Sequence, residues 1–231
     1  MLDSRDAVLE NLARIRARID RACDRAGRDA AGVRLVAVAK TVPLEAVRWA
    51  HEAGVTDIGE NYVKELIAKR SVVPGAIWHF VGTLQSHSAH HVATNADVVH
   101  TLTPGRAVSR LARRAHEQGR RLPALVEVDF TRGARAGLDP DAVDAFADEV
   151  AATDGLEIVG LMTLPPMPEV PEDARPFFRR LREMGEALRG RHPRAAELSM
   201  GMSMDYEVAI EEGATMVRIG TALFGERAPA R

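Results

Sequence analysis

Over the first 27 residues, Leu9, Leu12, Ile15 and Ile19 recur at spacings of three and four, with arginine and aspartate between them. That spacing predicts an amphipathic helix, and Gly27 is its expected stop. Beyond it, short apolar runs alternate with helical stretches. "VRLVAVAK" predicts a strand and "PLEAVRWAHEAG" a helix closed by glycine; "TDIGEN" and "YVKELIAKR" repeat the pair, as do "AIWHFVG" and "SAHHVATNA". "DVVHTL" precedes the helical "GRAVSRLARRAHEQG", and "PALVEVDF" precedes a helix opened by Asp139 as N-cap with Pro140 at its first position. "LEIVGLMTL", "AELSMG" and "MVRIG" are the last three strands, each followed by a helical stretch, the final one being "TALFGER".

Eight strand–helix units after one leading helix imply parallel strands with right-handed crossovers, and eight is the number that closes a barrel. The expected fold is α/β, a single (β/α)8 TIM barrel with an extra N-terminal helix. It forms one domain over 1–231, with the helix at 1–27 and the barrel at 33–227. An open doubly wound sheet is the alternative, disfavoured because no Gly-x-Gly-x-x-Gly follows the first strand.

Composition changes this picture little. The 231 residues are 46% hydrophobic and 28% charged, with a net charge of −2 and acid and base interspersed. Nothing in that balance points to nucleic acid or a membrane surface. A single cysteine, Cys23, excludes an intrachain disulfide, and the N-terminus has no signal-peptide core, so a cytoplasmic protein is expected. No apolar run has the length of a membrane span.

In such barrels the chemistry lies at the C-terminal ends of the strands. Read there, the chain offers Lys40, Asn61, Met162, Ser199, Gly201, Arg218, Gly220 and Thr221. The turns "SMGMS" and "GTALFG" fall where this fold holds phosphate. Backbone N–H groups and the Ser199 and Thr221 hydroxyls would meet an anion there; equally, these are tight turns with helix caps. Lys40 shares a strand face with Val36 and Val38. Facing inward it must be paired or neutral, and a neutral lysine attacks aldehydes; facing outward it reaches solvent. Arg218 shares a face with Met216 and Gly220, so it points at the same cavity or else pairs with Glu127 or Asp129. A phosphate cradle opposite an amine suits pyridoxal 5′-phosphate, or a sugar phosphate handled by a Schiff-base aldolase. His79, mid-strand, is expected to pack or hydrogen-bond in the core, and Phe177 and Phe178, expected to be exposed, are candidate interface or packing residues.

"LVAVAKT", "DIGENYVKEL", "WHFVGTLQS", "GLMTLPP" and "LSMGMSMDYEVAIEEGATMVRIGTALFGER" together resemble the YggS/PROSC family of pyridoxal phosphate homeostasis proteins. The resemblance implies an alanine-racemase-type barrel without that enzyme's second domain. It implies that Lys40 carries pyridoxal 5′-phosphate as an internal aldimine. Ser199, Gly201, Gly220 and Thr221 would then hold the phosphate, Arg218 would face the pyridine nitrogen, and Asn61 and Met162 would line the pocket. It further implies vitamin B6 homeostasis without an established reaction, with no catalytic residue and no metal. A weak pyridoxal-phosphate-dependent racemase is the alternative. The partners implied are the cofactor itself and pyridoxal-phosphate-dependent apoenzymes, for a monomer or weak dimer. An arginine at the ring nitrogen opposes its protonation, which weakens the ring as an electron sink. The chain departs from the family at His87-Ser88, where Asn-Lys is usual, and at Arg135, where lysine is common. His87, His90 and His91 match no strong zinc spacing.

Overall fold

The computed structural model describes residues 4–226; residues 1–3 of the expected leading helix and residue 227 at the end of the expected barrel lie outside them. Strands β1 (Arg34–Val38), β2 (Asp57–Glu60), β3 (Ile77–Phe80), β4 (Val98–Leu102), β5 (Leu122–Val128), β6 (Leu156–Thr163), β7 (Glu197–Ser199) and β8 (Met216–Ile219) close into a parallel barrel in chain order. β8 returns onto β1 with Val36 opposite Arg218. Helix α1 (Arg5–Ala26) precedes the barrel. α2 (Leu44–Glu52), α3 (Val63–Arg70), α4 (Ala89–Asn95), α5 (Arg106–Glu117), α6 (Val143–Ala151), α7 (Arg175–Arg191), α8 (Tyr206–Glu211) and α9 (Thr221–Phe224) follow the strands in turn. The (β/α)8 barrel with its extra N-terminal helix is therefore the fold that the alternating pattern predicts.

The sequence sets both ends of α1. The Ser4 side chain accepts the Ala7 N–H, and Gly27 takes the left-handed conformation, φ 62°, that ends the helix. Of the expected stripe, Leu12, Ile15 and Ile19 are buried, while Leu9 is only half-buried and Val8 takes its place on the inner face with Ala22 and Cys23. The helix after β8 is only four residues long, and α1 packs against α8, α2 and α9. It thus takes the place in the outer ring that a full eighth barrel helix would fill. The Asn11 amide donates to the Leu223 carbonyl at 3.0 Å, and Arg25 bridges Glu207 and Glu211 of α8.

Outward strand residues pack with the helices in one large core, while Val36, Leu125, Met162 and Met216 form a small cluster inside the barrel. Beside that cluster Asp57, His79, His100, Glu127, Ser199 and Arg218 are all buried. Asp139 caps a short 3-10 turn, Pro140–Ala142, which leads into α6, so the regular helix starts later than its cap signal suggests. Phe178 is not exposed: it is fully buried in the outer core, and Phe177 is half-buried against Phe130, with ring centroids 5.9 Å apart. The periodicity of α7 turns both inward more than their arginine-rich surroundings suggest. Among the described residues, no group of His, Cys, Asp and Glu is arranged to hold a metal, and no helix is long and apolar enough to cross a membrane.

Candidate cofactor-binding site

β1 ends at Val38, and Lys40 lies two residues on, in phase with Val36 and Val38. Val36 belongs to the inner cluster, so this face looks into the barrel. Val38 and Lys40 line a cavity of about 400 Å³ at the C-terminal ends of the strands, a volume suited to a small cofactor. The turn that carries Lys40 is held from both sides. The Lys69 ammonium donates to the Ala39 carbonyl and to Glu60 and Glu65, each at 2.7 Å. Glu65 in turn accepts the Thr41 N–H at 2.8 Å. Thr41 has φ 59°, a left-handed conformation that a β-branched residue adopts only when its surroundings impose it. Burial pushes the Glu60 carboxyl up to about 7, against the pull of Lys69. Glu65 and Lys69 read in sequence as an ordinary surface pair four residues apart on a helix; only the fold brings them behind Lys40.

Arg218 projects from β8 onto the same cavity. It is buried, and it donates to Ser199 Oγ at 2.6 Å and to the Thr163 carbonyl at 2.8 Å. Burial lowers its guanidinium to about 10, opposed by the charges of Asp205 and Glu127, so it stays cationic at neutral pH. Of the two carboxylates considered as its ion-pair partners, Asp129 is instead occupied at the turn after β5, where it accepts from Thr131 and Gly133. Glu127 acts on Arg218 through charge alone, and burial pushes its own carboxyl up to about 7.

Two turns, after β7 and β8, meet on the cavity rim. After β7, the Ser203 hydroxyl accepts the Ala222 N–H of α9 at 3.2 Å, and Asp205 accepts the Met202 N–H at 2.6 Å. Gly220 and Thr221 form the turn after β8, and the Thr221 N–H, first in α9, has no acceptor within the helix. Asn61, Met162, Gly220 and Thr221 all line the cavity with Lys40 and Arg218. Ser199 and Gly201 do not. Ser199 lies behind the wall, fully buried beneath Arg218. Gly201 serves packing: at φ 89° its Cβ would fall 2.5 Å from that of Ala209.

Ser203, Asp205 and Leu164 line the cavity without having been singled out in the sequence, and Arg135 joins them. Ser203 was legible as the second serine of "SMGMS", four residues beyond Ser199. Nothing local marks Asp205. The Asn61 Oδ1 and Asp205 Oδ2 atoms are buried without a hydrogen-bond partner, which makes them polar points in the wall for a ligand to satisfy. The donor set is an amine, two guanidinium groups, two hydroxyls and an apolar wall of Val38, Val81, Met162 and Leu164. This combination fits a flat ring that bears an aldehyde and an anionic tail.

Residues 11–228 match the family model described as alanine racemase, N-terminal domain. The pyridoxal phosphate homeostasis protein of Aquifex aeolicus is 38% identical over 222 residues, covering 94% of this chain and 97% of its own length. The protein of the same name from Pseudomonas aeruginosa is 39% identical, with 95% and 96% covered. The structure of PipY from Synechococcus elongatus with PLP bound superposes with a TM-score of 0.83 at 34% identity, covering 94% of this chain and 100% of that one. Alanine racemase from Corynebacterium glutamicum, at 17% identity and a TM-score of 0.68, shares the fold alone, and the likeness spans 63% of that chain. By sequence and by fold, the chain belongs to the pyridoxal phosphate homeostasis protein family, within the alanine racemase N-terminal domain family.

Proposed function

We propose that this protein holds pyridoxal 5′-phosphate on Lys40 and serves vitamin B6 homeostasis as a carrier without a catalytic reaction of its own. The observation that carries the reading is one cavity with Lys40 and Arg218 on its walls and the paired turns of Ser203 and Thr221 on its rim. Pyridoxal phosphate, when bound, supplies an aldehyde that condenses with an amine and a ring that withdraws electrons. Lys40 offers the amine, and the clamp of Glu65 and Lys69 on its flanking peptides fixes where that amine sits. Hydroxyls and backbone N–H groups of the two turns suit the anionic tail. Arg218 presents a permanent cation to the ring, which opposes protonation of the ring nitrogen and leaves the electron sink weak.

Racemisation also needs an acid–base group opposite the lysine. Among the described residues no histidine, tyrosine or cysteine lines the cavity, and its one carboxylate, Asp205, is engaged by the Met202 N–H in the turn after β7. Tyr206 is buried elsewhere, and Tyr62 is 54% exposed. A monomer or weak dimer, with pyridoxal-phosphate-dependent apoenzymes as recipients, is the assembly this role calls for. The test is reduction with borohydride after incubation with pyridoxal phosphate, followed by peptide mass analysis. The cofactor mass is expected on the peptide containing Lys40 and absent from Lys40→Ala. A wild-type protein with no visible absorption and no such adduct overturns the reading. Deuterium exchange at Cα of amino acids, well above the rate with free cofactor, would instead make the protein a racemase.

A further inference from the structure

Arg218 is one end of a hydrogen-bonded path across the barrel. Its Nη1 lies 2.6 Å from Ser199 Oγ on β7, which lies 2.9 Å from His100 Nδ1 on β4. His100 Nε2 lies 2.8 Å from His79 Nδ1 on β3, and His79 Nε2 lies 2.9 Å from Asp57 Oδ1 at the start of β2. Ser199, His100 and His79 are wholly inaccessible, and Asp57 and Arg218 nearly so. The path joins the cavity to the opposite end of the barrel, where Asp57 and Arg34 line a separate cleft.

Hydrogen-bond bookkeeping fixes the direction of this path. Burial alone would raise the Asp57 carboxyl, but hydrogen bonds from His79 and Thr56 hold it below its ordinary value, so Asp57 is ionised and His79 Nε2 carries a proton. His100 stays neutral: burial disfavours its charged form, and the Arg218 and Arg34 cations add repulsion. Were His79 doubly protonated, His100 would accept from it and donate to Ser199. Ser199 would then receive protons from both His100 and Arg218, leaving its own hydroxyl without an acceptor. The opposite polarity satisfies every group: Arg218 donates to Ser199, Ser199 to His100, His100 to His79, and His79 to Asp57. Glu127 and Asp205, the other charges acting on Arg218, lie outside the path.

We propose that Asp57, His79, His100 and Ser199 are positioning residues for Arg218, forming a one-way relay that locks its guanidinium on the cavity wall as a fixed donor. The role toward a ring nitrogen rests on the pyridoxal phosphate reading. With every member already donating in one direction, the relay has no proton to pass to that nitrogen, and the nitrogen stays a bare acceptor.

The test needs no cofactor at first. In protein labelled with 15N-histidine, long-range proton–nitrogen spectra at neutral pH should show His79 and His100 each protonated at Nε2 alone, with the His100 signals unchanged from about pH 5 to pH 8. Either ring protonated at Nδ1, or a His100 that titrates in that window, overturns the relay. Ser199→Ala removes one oxygen from the path. It should release His100 from its fixed tautomer and weaken pyridoxal phosphate binding roughly tenfold, the equivalent of one charge-assisted hydrogen bond. Unchanged His100 signals with unchanged affinity in that variant also overturn it; should the variant not fold, the wild-type spectra decide alone. Borohydride labelling of wild-type Lys40 separates the two readings. A labelled Lys40 with contrary spectra sinks only the relay, and an unlabelled Lys40 sinks the cofactor reading and with it the relay's role toward the ring.

Discussion

Glu127 is a carboxylate sealed inside a barrel, 4% exposed, with no hydrogen bond among the described residues and Arg218 as its attracting charge. Burial raises it from an ordinary 4.5 to about 7. In that interval the native state keeps a proton that the unfolded chain has released, so stability falls as pH rises through it, and the deficit is complete above 7. Glu127→Gln removes the deficit, which is worth up to about 3 kcal/mol. The variant's melting temperature should gain on wild type as pH rises from 5 to 8 and match it at the acidic end. A gain independent of pH would mean the carboxyl is not the cause. Asp57 has the opposite sign: its lowered carboxyl adds stability at neutral pH that is lost on acidification. At this scale, strand alternation put Lys40 in phase with Val36 and Val38, and Arg218 in phase with Met216 and Gly220, but left open whether those faces look into the barrel; the inner cluster around Val36 and Met216 decides it. The same logic could not foresee the path through His100 and Ser199, because four strands far apart in sequence meet there and no short motif records it.

Between residues and the barrel stand the turns, and one of them depends on an absent side chain. A Cβ on Gly82, just after β3, would lie 2.1 Å from the Asn61 carbonyl in the turn after β2. Gly82 has no left-handed φ to maintain, so the requirement is for space alone. Gly82→Ala must push back the turn that carries Asn61. It should cost roughly 1–3 kcal/mol in denaturant unfolding and weaken pyridoxal phosphate binding as well. A stable variant with normal affinity would show that the turn yields freely. Elements were the most legible level of this sequence. All eight strands and the helices between them follow from period and punctuation, with boundaries displaced by a residue or a few, as at Pro140–Ala142. Of the two roles open to Phe178, packing holds and exposure does not, because its neighbours are arginines whose charged ends reach solvent while the helix turns the ring inward. Ser203 went unnoticed because a turn's small residues look alike until the chain path shows which hydroxyl faces the cavity.

Across the whole molecule, closure of the outer ring rests on α1, since α9 is too short to cover the seam between α8 and α2. Its buried stripe of Val8, Leu12, Ile15 and Ile19 contributes about 1.5–3 kcal/mol per side chain, together comparable with the net stability of a typical domain. Detachment of α1 and loss of the barrel should therefore be nearly one event. The same helix carries the chain's single cysteine, 1% exposed, on its inner side, and burial keeps that thiol above its ordinary pKa. A thiolate-seeking reagent can reach Cys23 only when the helix lifts. In native buffer, modification should be slower than in denaturant by on the order of a hundredfold or more, the equivalent of about 3 kcal/mol of opening. Prompt reaction in native buffer would mean that α1 detaches freely. The chain's lone sulfhydryl is in that sense a built-in reporter of how often the molecule unbuttons along its N-terminal edge, with no engineered probe required.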